Sequence, residues 1–120
     1  MPKMAVLPIL EANEFDRPPN FSPAQRREHF EFPQSVLAEA ARIHTDVNRI
    51  YFLALCAYLG PAKRFYPPES FRDKDIDQLC RLHGAEAGLD VRTVSFERRS
   101  HYRRRALDHY GLGFASDWTI

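Results

Sequence analysis

Ten consecutive residues, Ile50 to Leu59, carry no charge, and their only hydroxyls are those of Tyr51 and Tyr58. Wound into a helix, such a run is apolar on every side, so other elements must surround it. It is half the length of a bilayer span, which needs about 20 residues. The run is therefore expected to be the central core helix of a water-soluble domain. Thr45 or Asp46 caps it, Gly60-Pro61 closes it, and the predicted helix is Val47 to Leu59. A chain of 120 residues holds one such core.

The flanks read as further helices. Ser22 is an N-cap and Pro23 a first helical residue, which predicts a short helix from Ala24 to about Phe30. Pro33 resets the chain, and Val36, Leu37, Ala40 and Ile43 are spaced for one apolar face of a helix from Gln34 to Ile43. After a loop at Lys63 to Pro68, a helix from Lys74 to Leu82 turns Ile76, Leu79, Cys80 and Leu82 inward and stops at Gly84. Val91 to Ser95 has some strand propensity. A last helix begins at Ser95 and ends at Gly111. The expectation is an all-α fold, a compact bundle of about five helices. Residues 1–20, with four prolines, form an extended N-terminal arm. Residues 21–114 form the helical domain, and 115–120 a tail or the start of a linker.

The last helix concentrates the charge. From Glu97 to Tyr110 it holds Arg98, Arg99, Arg103, Arg104 and Arg105 against Glu97 and Asp108, a balance of +3 in a chain of net charge +1. Tyr102, Ala106 and Tyr110 share one face, flanked by Phe96, Arg99, Arg103 and Leu107, while His101, Arg104, Arg105 and Asp108 point the other way. A helix docked by its tyrosines and presenting guanidiniums suits DNA, where arginine meets phosphates and guanine edges. The plain alternative is a solvated surface helix. Near-neutral overall charge excludes indiscriminate, histone-like binding.

Other chemistry is thinly represented. Cys56 and Cys80 lie in apolar helical patterns without framework spacing, so both are expected to be buried free thiols. Cys80 and His83 stand one turn apart, but no second pair with ligand spacing accompanies them, so no metal site is expected. Ser100 and His101 diverge on a helix, which rules them out as a nucleophile and its base. Asp73, Asp75 and Asp77 at a helix start favour the positive end of the macrodipole. No glycine-rich phosphate loop is present. No catalytic residue, cofactor, small-molecule substrate or membrane partner is expected. With no secretory signal at the N-terminus, the expected location is cytoplasmic.

Separated pieces of the chain also carry a family pattern. They are Phe15-Asp16-Arg17-Pro18-Pro19-Asn20-Phe21, Arg26-Arg27-Glu28-His29-Phe30, Asn48-Arg49-Ile50-Tyr51-Phe52-Leu53 running on to Tyr58-Leu59, Lys63-Arg64-Phe65-Tyr66, Phe71-Arg72-Asp73-Lys74-Asp75-Ile76, and His101-Tyr102-Arg103-Arg104-Arg105-Ala106-Leu107-Asp108-His109-Tyr110-Gly111. In this order they resemble the N-terminal domain of the Tn-three family of replicative, cointegrate-forming transposases. The resemblance spans about Phe15 to Gly111. The chain departs from the family pattern at Leu55 and Ala57, and at Tyr102 and Ala106.

The resemblance implies an all-helical DNA-binding module that helps recognise transposon terminal inverted repeats, without the catalytic domain that follows in full-length transposases. Expected contacts are Arg98, Arg99, Arg103, Arg104 and Arg105, with Arg104 and Arg105 foremost. Arg26, Arg27, Lys63 and Arg64 are secondary candidates, because loops and helix ends often flank a reading helix. The expected partner is double-stranded DNA, with the chain itself or a full-length transposase as further partners. The competing expectation is a helical protein-interaction module that dimerises with, or inhibits, a full-length transposase. Its mark would be an exposed aromatic patch at Phe65, Tyr66 and Phe71.

Overall fold

The computed structural model describes residues 18–86 and 88–110. These form five α-helices and two short 3-10 turns, with no strand among the described residues: α1 (Pro23–His29), α2 (Gln34–Ala41), α3 (Asp46–Ala62), α4 (Asp73–Leu82) and α5 (Phe96–Tyr110), the turns lying at Pro68–Ser70 and Val91–Thr93. The fold is an all-α bundle. The N-terminal arm and the C-terminal tail fall largely outside the described residues. The end of the arm is tied down, since Pro18 is buried and its carbonyl accepts a hydrogen bond from Arg72 Nε at 3.0 Å.

All ten residues from Ile50 to Leu59 are buried, none more than 1% exposed. Removing that much apolar surface from water is the main force holding α3 at the centre. Around it, α5 runs alongside in the same direction. Tyr102 meets Tyr51 and Phe52 at one end, and Tyr110 lies against Gly60 at the other. Val36 and Ala40 bring α2 in, and Ile76, Leu79 and Cys80 bring α4 in. The helix α1 buries none of its own residues. Its flanking rings hold it: Phe21 stacks on Tyr58 at 5.9 Å and meets Phe30 edge-on at 6.3 Å.

Helix starts follow local chemistry. Ser22 and Gln25 form a reciprocal capping box, the Gln25 N–H donating to Ser22 Oγ at 3.2 Å and the Ser22 N–H to Gln25 Oε1 at 2.9 Å. Ser95 Oγ accepts the Arg98 N–H at 3.2 Å and so starts α5.

Four expectations need correction. The helix α3 does not stop at Gly60-Pro61; it passes through Pro61 to Ala62 and ends where Lys63 turns left-handed, φ 58°. A proline so near the end forfeits one hydrogen bond, and the surrounding core outweighs that loss. The helix α2 ends at Ala41, because the N–H groups of Arg42 and Ile43 reach back only three residues, to Glu39 and Ala40. Leu82 is 54% exposed, since it lies off the stripe of Ile76, Leu79 and Cys80. Val91–Thr93 is a 3-10 turn, not a strand. Asp90 accepts the Arg92 N–H at 3.0 Å, and Thr93 Oγ1 donates to the Asp90 carbonyl at 2.8 Å, closing the turn locally.

Candidate nucleic-acid interface

The five arginines of α5 go to different places. Arg99 is only 7% exposed; its Nε donates to the Val94 carbonyl at 2.8 Å and its Nη2 to the Arg92 carbonyl at 2.7 Å. Its guanidinium also lies over the Phe96 ring at 4.6 Å and 3.4 Å from Glu69. Arg99 ties the preceding turn to the helix and faces away from solvent. Arg105 grips Glu39 of α2 through Nε at 2.9 Å and Nη2 at 2.8 Å, and contacts Asp108 at 3.4 Å. Arg103 is half-buried and donates to Ser100 Oγ at 3.1 Å. Arg98 and Arg104 are exposed, and neither side chain has a hydrogen-bond or ion-pair partner among the described residues. The outward ridge of α5 thus carries Arg104 between Glu97 and Asp108, with His101 beside it.

The side of α5 that faces the α2–α3 turn has a different character. A groove of about 300 Å³ runs there, with Arg98 and His101 on one wall, Arg42 and His44 on the other, and Thr45 and Asn48 at the start of α3. Ile43, Tyr102 and Glu39 also line it. Arg42 and His44 are exposed and unpaired among the described residues, like Arg98. Thr45 precedes α3 but gives its side chain to none of the helix amides.

Glu39 is the negative counterpart of this region. It takes Arg105 in a two-pronged pair and has His109 Nε2 at 2.7 Å from Oε1. The hydrogen bond from Arg105 outweighs the cost of burial and, with His109, pulls the Glu39 carboxyl from 4.5 down to about 2. Glu39 therefore stays ionised, and its charge remains committed to α5.

The secondary candidates are scattered. Arg26 reaches inward from α1, with Nε 2.8 Å from Asp75 Oδ1 and Nη2 donating to the Phe21 carbonyl at 3.1 Å. Asp75 is fully buried and also accepts from the Tyr58 hydroxyl at 2.5 Å. Of the three aspartates expected to serve the macrodipole, Asp75 is instead itself buried and pairs with the partly buried Arg26. Arg27 is exposed but lines a separate groove between α1 and α4 beside Glu28, Glu31 and Leu82. Lys63 caps the far end of α3, and Arg64 lies over the Tyr66 ring at 4.8 Å. Lys63 is fifteen residues from Asn48, or about 22 Å along the helix. The structure therefore joins Arg98 to Arg42, a residue absent from the expected set, and does not gather Arg26, Arg27, Lys63 and Arg64 around it. The only signal for Arg42 and His44 was two basic side chains beside a helix exit, a position ordinarily explained by the macrodipole.

The aromatic patch expected of an interaction module is turned inward. Tyr66 and Phe71 are 7% and 8% exposed, and Phe65 is packed against the core. Both cysteines are free and buried, and burial raises the Cys56 and Cys80 thiol pKa values. Among the described residues, no three His, Cys, Asp or Glu side chains stand together as a metal site, and no helix is long and apolar enough to cross a membrane. No protein-family model, curated protein or solved structure matches the chain.

Proposed function

We propose that this domain binds double-stranded DNA through the edge formed by Arg98 and Arg104 of α5 and Arg42 of the α2–α3 turn. The observation that carries the reading is the division of labour among the arginines. Arg26, Arg99 and Arg105 have internal partners, whereas Arg42, Arg98 and Arg104 have none among the described residues; Arg42 and Arg98 line one groove, and Arg104 stands on the next ridge of α5. Unpaired guanidiniums on rigid helices recruit phosphate with little reorganisation. The resemblance to transposase N-terminal domains supplies the target: transposon terminal inverted repeats, recognised sequence-selectively by a module without the catalytic domain.

The test is a fluorescence-anisotropy titration with a labelled 30-base-pair duplex carrying a terminal inverted repeat, beside a scrambled duplex, at several salt concentrations. Two or three neutralised phosphates give a log–log salt slope of about −1.8 to −2.7. Arg104→Ala is expected to reduce the slope by about one unit across all sequences. Loss of saturable binding at low salt, or binding indifferent to a combined Arg98→Ala and Arg104→Ala change, refutes the proposal.

A further inference from the structure

We propose that the groove between the α2–α3 turn and α5 seats one backbone phosphodiester of the bound strand, held from opposite walls by Arg42 and Arg98. The inference rests on the DNA reading and assigns it a particular contact.

Size comes first. The groove, of about 300 Å³, is a local dip between two elements, which suits one segment of a strand's backbone rather than the width of a duplex. Charge comes second. Both walls bring a guanidinium with no partner among the described residues, and Thr45 and Asn48 add neutral hydrogen-bonding groups between them. A phosphodiester has two non-bridging acceptor oxygens, so one guanidinium can address each side.

Rigidity comes third. One wall is α5 and the other the α2–α3 turn, whose flanking helices are locked to α5 by Tyr102 against Tyr51 and Phe52 and by the Glu39–Arg105 pair. The backbones that carry the two guanidiniums are therefore held in place before DNA arrives.

Glu39 gives the seat a direction. Its carboxylate lines the groove, but its charge is already matched by Arg105, so a phosphate is held on the side of Arg42 and Arg98. Arg104 lies six residues beyond Arg98, about 9 Å along α5 and about 120° around it, on the outward ridge, where it can meet a neighbouring phosphate. The strand is thus fixed between one gripping pair and one outer contact.

The experiment uses the full chain and duplexes in which single phosphates are replaced, one at a time, by neutral methylphosphonate. Wild-type protein is expected to lose affinity about threefold to tenfold at one or two positions. Arg42→Ala and Arg98→Ala should each weaken the unmodified duplex to a similar degree and abolish the methylphosphonate effect at the same position. Arg104→Ala should weaken binding yet leave that effect in place. Circular dichroism confirms that each variant is folded.

If Arg104→Ala weakens binding while Arg42→Ala behaves as wild type, the DNA reading stands and the phosphate seat is refuted. If wild-type protein binds no duplex, both fall together. Inorganic phosphate displacing the duplex at low millimolar concentration, at constant ionic strength, marks a free-anion site and overturns the assignment to a strand.

Discussion

Glu39 offers the sharpest test of the electrostatics. Its carboxyl is held at about 2 instead of 4.5, first by the Arg105 hydrogen bond and then by His109. A shift of that size corresponds to about 3.4 kcal/mol at 1.36 kcal/mol per unit. The Arg105 side chain is 38% exposed, so water shares its charge, and the expected contribution falls to about 1–2 kcal/mol. A depressed carboxyl pKa stabilises the fold above the unfolded value near 4.5, and that stabilisation disappears as pH falls through 2. Half of it should be gone by about pH 3.2. The substitution Glu39→Gln keeps the shape and removes the charge. Urea unfolding of the two proteins should show midpoints about 1 M apart at pH 7, assuming a slope of about 1–2 kcal/mol/M. The midpoints should converge between pH 4 and pH 2. Every other carboxylate titrates in both proteins, so their difference isolates Glu39. A constant gap from pH 7 to pH 2 would refute the assignment, because the loss would then come from packing rather than charge.

Three further outcomes follow from the described geometry. Asp75→Ala removes the counter-charge of Arg26 and the acceptor of the Tyr58 hydroxyl, so the fold should lose about 3–5 kcal/mol, read from chemical denaturation; a loss below 1 kcal/mol would show the pair to be dispensable. Lys63→Gly relieves a left-handed residue and should stabilise by about 0.5–1 kcal/mol, or several degrees in Tm, while leaving DNA affinity within about twofold if the contact surface lies where proposed. Cys56 and Cys80 should resist a thiol-reactive disulfide reagent in the native protein and react fully in urea, and rapid native labelling of either would contradict their burial.

The sequence told most about the parts whose cause is local. The uninterrupted apolar run from Ile50 to Leu59 required a surrounded helix, and Ser22-Pro23 and Ser95 marked helix starts through their own side chains. What escaped reading depends on partners distant along the chain. Helical periodicity ordered the side chains of α5 but could not say which of them meets Glu39, 66 residues earlier than Arg105. Arg99 and Arg104 look alike in sequence, yet one is wrapped in carbonyls and the other faces solvent. Asp75 likewise looked like a helix-start carboxylate until the fold brought Arg26 to it from 49 residues away. Arg42 and Arg98 are separated by 56 residues, and only the packing of α2 and α5 on α3 makes them opposite walls of one groove.

This dependence changes what the charge of α5 means. Five arginines in one helix suggest five phosphate contacts and a salt slope near about −4.5. Arg99 and Arg105 are held internally, and Arg103 is half-buried, which leaves Arg98 and Arg104, joined by Arg42 from outside the helix. The expected slope is therefore about −1.8 to −2.7, the smaller value where Arg42 and Arg98 share one phosphate. The steeper value would require DNA to draw Arg105 from Glu39 and Arg99 from the Val94 and Arg92 carbonyls. Binding would then be coupled to loosening of the α2–α5 contact, and Glu39→Gln would tighten the complex by making Arg105 available. The shallower value, unchanged by Glu39→Gln, means that the internal pairs act as scaffold and that only the unpaired arginines meet the phosphate chain. Measuring the slope for both proteins thus separates a rigid interface from one that rebuilds itself on the nucleic acid.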